Sequence, residues 1–264
     1  MIRFNALIRL GGTKKNGMPQ FVRRELKDDR FEIATESGIV AVDVRRHPRA
    51  RNFTLRVGGP ARAPVLTMPK RGSIHDAQKF LERHSGWLTS QLARLPAPSP
   101  IADGSEVPLR GVPYRIRHAG HRRGIAVLRL AGERPELVVA GDPAHLRRRV
   151  VDFLKREARR DVEDAVMRYA GLLDVWPTAI RLRDQTSRWG SCSANGHLSF
   201  SWRLIMAPSF VLNYLAAHEV AHLRELNHSS RFWTLVAAIC PDFEAGRTWL
   251  AENGIGLHAI GAED

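Results

Sequence analysis

The sequence of 264 residues has only two cysteines and no long hydrophobic run. Cys192 and Cys240 are too few for a disulfide framework, so we expect free thiols and a reducing compartment. No segment approaches the roughly 18–20 apolar residues that a membrane span needs. Arg3, Asn5 and Arg9 interrupt the apolar residues at the start, where a signal peptide would lie. These absences predict a cytoplasmic protein that does not span a membrane.

Acidic residues are scarce in the first part of the chain. Residues 1–141 contain 26 Lys and Arg against 12 Asp and Glu, a net charge of +14, whereas residues 142–264 contain 15 of each and are neutral. Such a basic excess attracts polyanions, of which nucleic acid is the commonest, but it also keeps a protein soluble. The sequence therefore predicts a polyanion such as nucleic acid as a partner of the basic half, and it leaves a purely solubilising role open.

Hydrophobic residues make up 44% of the chain, which is enough for a folded core. Residues 1–30 are polar and basic, which predicts a loose arm. Residues 31–141 alternate in the manner of β-strands. Two features interrupt the strands, namely an amphipathic helix over 74–95 that begins after the N-cap Ser73 and a proline-rich linker over 95–100. We therefore expect a basic arm followed by a β-rich basic region with one helix.

The character of the chain changes at residue 142. Asp142-Pro143 combines an N-cap with a first-turn proline, which predicts a long helix to about residue 172. Strands at 178–183 and 197–204 follow, and the hairpin turn signal Asn195-Gly196 lies between them. Three further helices are predicted, one opened by Pro208, one from Ser229 or Ser230 to Cys240, and one over roughly 242–252. The sequence thus predicts an α+β domain over 142–264, with a helix near a small β-hairpin.

One of these helices carries the pattern H-E-x-x-H at His218, Glu219 and His222. Residues four apart lie on one face of a helix, so the two histidines can bind one metal ion. Zinc lowers the pKa of a bound water to about 7, and a glutamate beside the first ligand can accept its proton. A His-Glu-His cluster is costly inside an apolar helix unless a metal compensates it. We therefore predict a zinc-dependent hydrolase with Glu219 as the catalytic base.

The third metal ligand is predicted from the way this helix ends. His228 follows the second histidine by six residues, which on a continuous helix would place it about 240° round the axis, facing away. Asn227 is a candidate left-handed terminator and Ser229 can start a new helix, so the chain can turn back and bring His228 to the metal. A carboxylate from Glu244 or Glu252 is the alternative third ligand.

Three strings in this half of the chain resemble those of a known family. They are Arg188-Trp189-Gly190-Ser191-Cys192, Ser201-Trp202-Arg203-Leu204, and the helix motif from His218 through Asn227-His228-Ser229 to Phe232-Trp233. Residues 181–250 closely resemble the YgjP-like metallopeptidase domain, a relative of the SprT-like zinc proteases. The resemblance implies a zincin-like C-terminal domain, Zn²⁺ as cofactor and a polypeptide substrate. A nucleotide pyrophosphatase activity is also associated with the family, so a metal-dependent nucleotide phosphohydrolase is the alternative function. A protease docked on nucleic acid is compatible with the metallopeptidase function.

The same strings contain further candidates for the site. Gly190 lets the backbone approach closely, either to the metal helix or to substrate. Arg188, Arg203 and Tyr214 are candidates for stabilising an oxyanion, with structural ion pairs as the alternative role of the arginines. For a peptide substrate, the strand at 197–204 is the predicted site of β-strand addition.

Overall fold

The computed structural model describes residues 22–25, 30–35, 38–58, 63–120, 124–131, 134–186 and 188–262. Most of the arm predicted over 1–30 lies outside these residues. The described chain divides into two compact units between Ala97 and Pro98. This division falls within the proline-rich segment predicted as a linker. It differs from the domain boundary predicted at residue 142, which stays a prediction.

The N-terminal unit is a five-stranded sheet with one helix. Its strands are β1 (Val22–Glu25), β2 (Arg30–Thr35), β3 (Gly38–His47), β4 (Thr54–Arg56) and β5 (Val65–Pro69), in the sheet order β1-β2-β3-β5-β4. Helix α1 (Ile74–Ala93) begins after Ser73, whose hydroxyl accepts a hydrogen bond from the N–H of Asp76 at 3.0 Å. The strands and helix predicted over 31–95 are therefore confirmed. Strand β1 lies within the predicted arm, so that part of the arm is not loose.

The C-terminal unit contains two smaller sheets. Strands β6 (Glu106–Leu109), β7 (Val112–His118), β8 (Val127–Ala131) and β9 (Arg134–Val139) form one, in the order β6-β7-β9-β8. Strands β10 (Ala179–Arg183), β11 (Gly190–Cys192) and β12 (His197–Ser201) form the other, in the order β10-β12-β11. The strand predicted over 197–204 is wrong at its end. A 3₁₀ helix over Trp202–Met206 replaces it there, because the Ser201 hydroxyl caps the N–H of Arg203.

Four helices complete this unit among the described residues. They are α2 (Leu146–Leu173), α3 (Ser209–Ala221), α4 (Ser230–Ile239) and α5 (Phe243–Leu257). The predicted cap at Asp142 is confirmed, but it caps a 3₁₀ turn over Pro143–His145, and α2 begins three residues later than predicted, at Leu146. The Asp142 carboxylate accepts a hydrogen bond from the N–H of Ala144 at 2.9 Å there. The last helix extends beyond its predicted end near residue 252 to Leu257. The described chain is thus a mixed α/β structure of five helices and three small sheets.

Helix α3 is enclosed by the rest of its unit. Ten of its 13 residues are buried, and both α2 and α5 pack against it. Gly246 in α5 makes the second contact close, because a Cβ atom added there would lie 2.5 Å from Cβ of Tyr214. A helix that is buried all round is a core helix rather than an amphipathic surface helix. Within the described residues, none of the helices is both long enough and apolar enough to cross a membrane.

Candidate metal centre

The last turn of α3 places two histidines and a glutamate together. His218 and Glu219 are buried in the helix, and His222 is its C-cap. The N–H of His222 still donates to the carbonyl of His218 at 3.3 Å. The two imidazoles therefore lie one turn apart on one face, with their ring centroids separated by 4.9 Å.

The chain turns sharply after α3. The N–H groups of Leu223 and Arg224 donate to the carbonyls three residues earlier at 2.9 and 3.1 Å, the 3₁₀ pattern that tightens a helix end. The left-handed conformation predicted for Asn227 is wrong, because its φ is not positive. The predicted restart is confirmed, since the Ser229 hydroxyl accepts a hydrogen bond from the N–H of Phe232 at 3.4 Å at the start of α4.

This turn brings His228 back to the other two histidines. Its Nε2 lies 3.1 Å from Nε2 of His218, and one ring nitrogen from each of the three histidines lies within 4.8 Å of the others. Within the described residues, this is the one group of three His, Cys, Asp or Glu side chains arranged to hold a metal. Glu244 and Glu252 do not join it, and Glu244 instead pairs with Arg247 at 2.9 Å.

The three imidazoles are in the form that binds a metal. Nδ1 of His222 lies 3.0 Å from the carbonyl oxygen of Glu225, which can only accept, so Nδ1 carries the proton and Nε2 keeps its lone pair. Burial lowers the pKa of His218 to about 2 and that of His228 to about 4, and it also lowers the pKa of His222. Neutral imidazole is the ligand form. The donor set therefore fits a divalent transition metal such as zinc.

Two aromatic side chains of α4 border the histidines. Phe232 is fully buried, with its ring centroid 4.5 to 4.9 Å from those of the three imidazoles. Trp233 lies 5.8 Å from His218 and 5.9 Å from His228, measured between ring centroids. These rings keep water away from one side of the cluster, which strengthens electrostatic interactions there.

Glu219 lies against strand β11. A Cβ atom added at Gly190 would be 2.5 Å from Oε1 of Glu219 and 2.8 Å from its Cγ. The expected close approach of Gly190 to the metal helix is therefore confirmed. Burial raises the pKa of Glu219 to about 8, and the positive charge of Arg188 opposes this rise. Oε2 of Glu219 is buried without a hydrogen-bond partner in the described chain. Such an atom requires a partner that the protein does not supply, such as a water or an ion.

The two arginines considered as oxyanion donors have different surroundings. The guanidinium of Arg203 pairs with Asp184 at 2.7 Å and donates to two backbone carbonyls at and just beyond the end of α5, at 3.0 and 2.7 Å. Arg203 therefore has the structural role that was its alternative. Arg188 is half-buried and donates from Nε to Oε1 of Gln185 at 3.2 Å. It has no carboxylate hydrogen-bonded to it within the described part of the chain.

Tyr214 lies one turn before His218, and their ring centroids are 5.9 Å apart. Its hydroxyl is buried and has no hydrogen-bond partner among the described residues. Burial raises the pKa of Tyr214 above its ordinary value, so the hydroxyl stays protonated and is available as a donor. Its role as an oxyanion donor stays a prediction.

The strand predicted to take a peptide is not at an edge. Strand β12 has β10 on one side and β11 on the other, so both of its edges are occupied. Strand addition needs a free edge, and the prediction for 197–204 is therefore wrong. The outer strand next to Glu219 is β11, and its far side carries no strand among the described residues.

Two contributors to the site were missed by the sequence reasoning. Gln185 lies three residues before Arg188 in a polar segment, where no local pattern distinguishes it from a surface side chain. Glu225 acts through its backbone carbonyl, which no pattern of side chains reports. Both positions depend on the folded path of the chain.

The chain matches one family by sequence. A model of the family described as "YgjP-like, metallopeptidase domain" matches residues 51–253, which is 203 of the 264 residues. The chain belongs to the YgjP-like metallopeptidase family. This membership confirms the resemblance drawn from the three strings, and it implies a metal-dependent peptidase with polypeptide substrates. It gives no support to nucleic acid as a partner, which stays a prediction.

Other comparisons add little to the family assignment. No curated protein matches the chain. Among solved structures, the crystal structure of the metallopeptidase zymogen of Pyrococcus abyssi abylysin matches at 23% identity, over 33% of this chain and 91% of that one. The TM-score is 0.29, and a superposition that loose carries no argument about this chain.

Proposed function

We propose that this protein is a zinc-dependent peptidase with a zincin-like site, in which His218, His222 and His228 hold the metal and Glu219 is the catalytic base. Family membership supports a metallopeptidase. The observation that carries the residue assignment is the set of three imidazole nitrogens within 4.8 Å of one another, beside a buried carboxylate. Three protein ligands with one open position are typical of catalytic zinc.

Each side chain of the site has a separate task. When bound, zinc supplies a Lewis acid that polarises a carbonyl and acidifies water. Glu219 accepts the proton of the attacking water on Oε2, the oxygen that has no partner in the described chain, and delivers it to the departing amine nitrogen. A cation held by the histidines favours the ionised carboxylate and so opposes the effect of burial on the pKa of Glu219. The carbonyl of Glu225 keeps His222 in the required tautomer.

The proposal puts the substrate along the edge of β11 that no strand of the described residues occupies. That strand touches the base, because Gly190 lies against the Glu219 side chain. An extended peptide that pairs with β11 passes next to the carboxylate, and main-chain hydrogen bonds hold it without demanding one sequence.

The nucleotide phosphohydrolase alternative has no observation in its favour. Magnesium is bound by carboxylates and phosphate oxygens, and no carboxylate cluster with metal-binding geometry occurs in the described residues. Three imidazoles suit zinc rather than magnesium.

The substitution Glu219→Gln tests the proposal. We expect unchanged zinc content, since the ligands remain, and a loss of about 10²- to 10⁴-fold in the rate of cleavage of a denatured protein. The matched control is Glu244→Gln, which removes the same charge from an exposed residue of α5 and should change neither quantity. Elemental analysis and initial rates give the two readouts.

Two results would reject the proposal. A zinc-loaded Glu219→Gln protein that cleaves at the wild-type rate would exclude Glu219 as the base. Hydrolysis of nucleoside triphosphates without any cleavage of polypeptides would replace the peptidase by the alternative function.

A further inference from the structure

A pair of polar side chains just before strand β11, Gln185 and Arg188, has no part in the mechanism above. Nε of Arg188 donates to Oε1 of Gln185 at 3.2 Å. The amide nitrogen of the same Gln185 side chain, Nε2, is buried and has no hydrogen-bond partner in the described chain. The terminal nitrogens of Arg188 likewise make no hydrogen bond to a described residue. The pair is thus a group of adjacent donors without an acceptor.

Two other partly buried arginines of this unit have several acceptors each. Arg110 donates through two nitrogens to Asp161, at 2.7 Å each, and to Glu157 at 2.9 Å. Arg203 has Asp184 and two backbone carbonyls. Burying a charge or a donor without an acceptor lowers stability. Nε2 of Gln185 is such a buried donor, so it indicates an acceptor outside the described residues, and the adjacent terminal nitrogens of Arg188 can donate to the same acceptor.

The position of the pair links it to the substrate. Arg188 lies two residues before Gly190, whose backbone lies against the Glu219 side chain. Trp189 separates Arg188 from Gly190, the first residue of β11. A peptide that pairs with the edge of β11 left open by the described strands therefore passes Arg188 at one end of that strand.

We propose that Arg188 and Gln185 bind a carboxylate of the peptide substrate and make the enzyme selective for it, an inference that rests on the proposed peptidase function. A guanidinium offers two parallel N–H donors that match the two oxygens of a carboxylate, and the Gln185 amide adds a third donor. A single oxyanion would accept from only one of these three N–H donors, so a carboxylate matches the pair better. The carboxylate is either the C-terminus of the peptide or an acidic side chain, since both have the same chemistry.

Binding measurements without turnover test this selectivity. Four peptides share one sequence and differ in a C-terminal acid or amide and in an internal Glu or Gln. Their affinities are measured by calorimetry with the full-length, zinc-loaded Glu219→Gln protein. We expect a carboxylate peptide to bind about tenfold or more tightly than its amide counterpart, the usual effect of a charge-assisted hydrogen bond.

Variants of the pair give the controls. In the same background, Arg188→Gln should abolish the preference. Arg188→Lys should retain part of it, because lysine keeps the positive charge but lacks the two parallel N–H donors of a guanidinium. Arg183→Gln makes the same change of charge at an exposed residue of β10 and should keep the full preference. Zinc content is compared in all variants, since the metal itself attracts carboxylates. With active enzyme, Arg188→Gln should raise KM for the preferred peptide about tenfold and leave kcat within about threefold.

The outcomes distinguish the two possible carboxylates of the peptide, and they distinguish failure of the proposed selectivity from failure of the proposed peptidase function. A preference that follows the terminal group assigns the C-terminus, and one that follows the internal residue assigns the side chain. Equal affinities for all four peptides, a preference that survives in both Arg188 variants, or tighter binding of inorganic phosphate than of any peptide would overturn the proposal. An intact preference in a protein that cleaves no peptide would reject the proposed peptidase function alone.

Discussion

Helices α1 and α3 lie in different units and are buried in different ways. Helix α1 buries one face, with Ala77, Phe80, Leu81 and Leu88 in the core of its unit. Helix α3 buries ten of its 13 residues, and His218 and Glu219 are among them. Burial of apolar residues on one face stabilises a fold, whereas burial of polar groups costs stability unless they find partners. The comparison separates a helix that buries apolar side chains on one face from one that also buries a candidate metal ligand and the proposed base.

The distribution of charge separates the two parts of the chain in a second way. The whole net charge of +14 lies in residues 1–141, while the candidate site lies in the neutral residues 142–264. The three candidate metal ligands all lie outside the basic residues 1–141. Binding of a polyanion therefore stays a prediction that is independent of the metal site.

The largest expected change in stability comes from the core beneath α1. The substitution Leu81→Ala should lower the free energy of unfolding by about 2–5 kcal/mol, because it leaves a cavity at a fully buried position. Zinc content of the folded protein should not change, since Leu81 is not part of the histidine cluster. Denaturant unfolding and elemental analysis measure the two effects.

A matched control for Leu81→Ala is Ile39→Ala, at a residue that is 72% exposed in the same unit. Surface substitutions usually change the free energy of unfolding by about 0.5 kcal/mol or less. Equal effects of the two substitutions, or loss of zinc on Leu81→Ala, would contradict the assignment of α1 to folding alone.

The next largest change is expected where β11 meets α3. Gly190→Ala should reduce peptidase activity about 10- to 100-fold, because the new methyl group displaces the Glu219 carboxylate from its position. The same change should lower the free energy of unfolding by about 1–3 kcal/mol through overpacking. Rates on a denatured protein and thermal unfolding provide the measurements.

The smallest expected effect is that of the same substitution in α1. Gly86 lies inside that helix, and a Cβ atom added there meets no atom within 4 Å. Gly86→Ala should therefore stabilise the protein by about 0.5–1 kcal/mol and leave activity unchanged. If Gly190→Ala were tolerated as well as Gly86→Ala, Gly190 would not be what positions the base.

Features decided within a few residues were predicted well from the sequence. Ser73, Asp142 and Ser229 all cap helices as expected, because a cap involves only the side chain and the next few N–H groups. The left-handed conformation predicted for Asn227 was wrong, but the predicted turn that brings His228 back to the other histidines is present. Helix α3 already ends at Ala221, where 3₁₀ hydrogen bonds to the carbonyls of Val220 and Ala221 tighten its last turn without a left-handed residue.

Features that depend on distant pairing were not predictable. Strand β12 could pair with neighbours from either side in sequence, and only the folded unit shows that β10 and β11 both take it. For this reason the sequence-based prediction assigned peptide binding to β12, which is the central strand of its sheet. For the site, the two histidines four residues apart and the break before His228 were local signals. The side chain of Gln185 and the carbonyl of Glu225 became visible only through their distances.

The zinc content of His228→Ala tests the central claim most directly. His228 is the one candidate ligand whose place depends on the turn after α3, so it decides between three histidines and a carboxylate ligand. We expect about one zinc per wild-type chain after dialysis, loss of zinc in His228→Ala, and full retention in His197→Ala, a histidine of β12 outside the cluster. Full zinc in His228→Ala together with loss of zinc in Glu244→Ala or Glu252→Ala would contradict the three-histidine site.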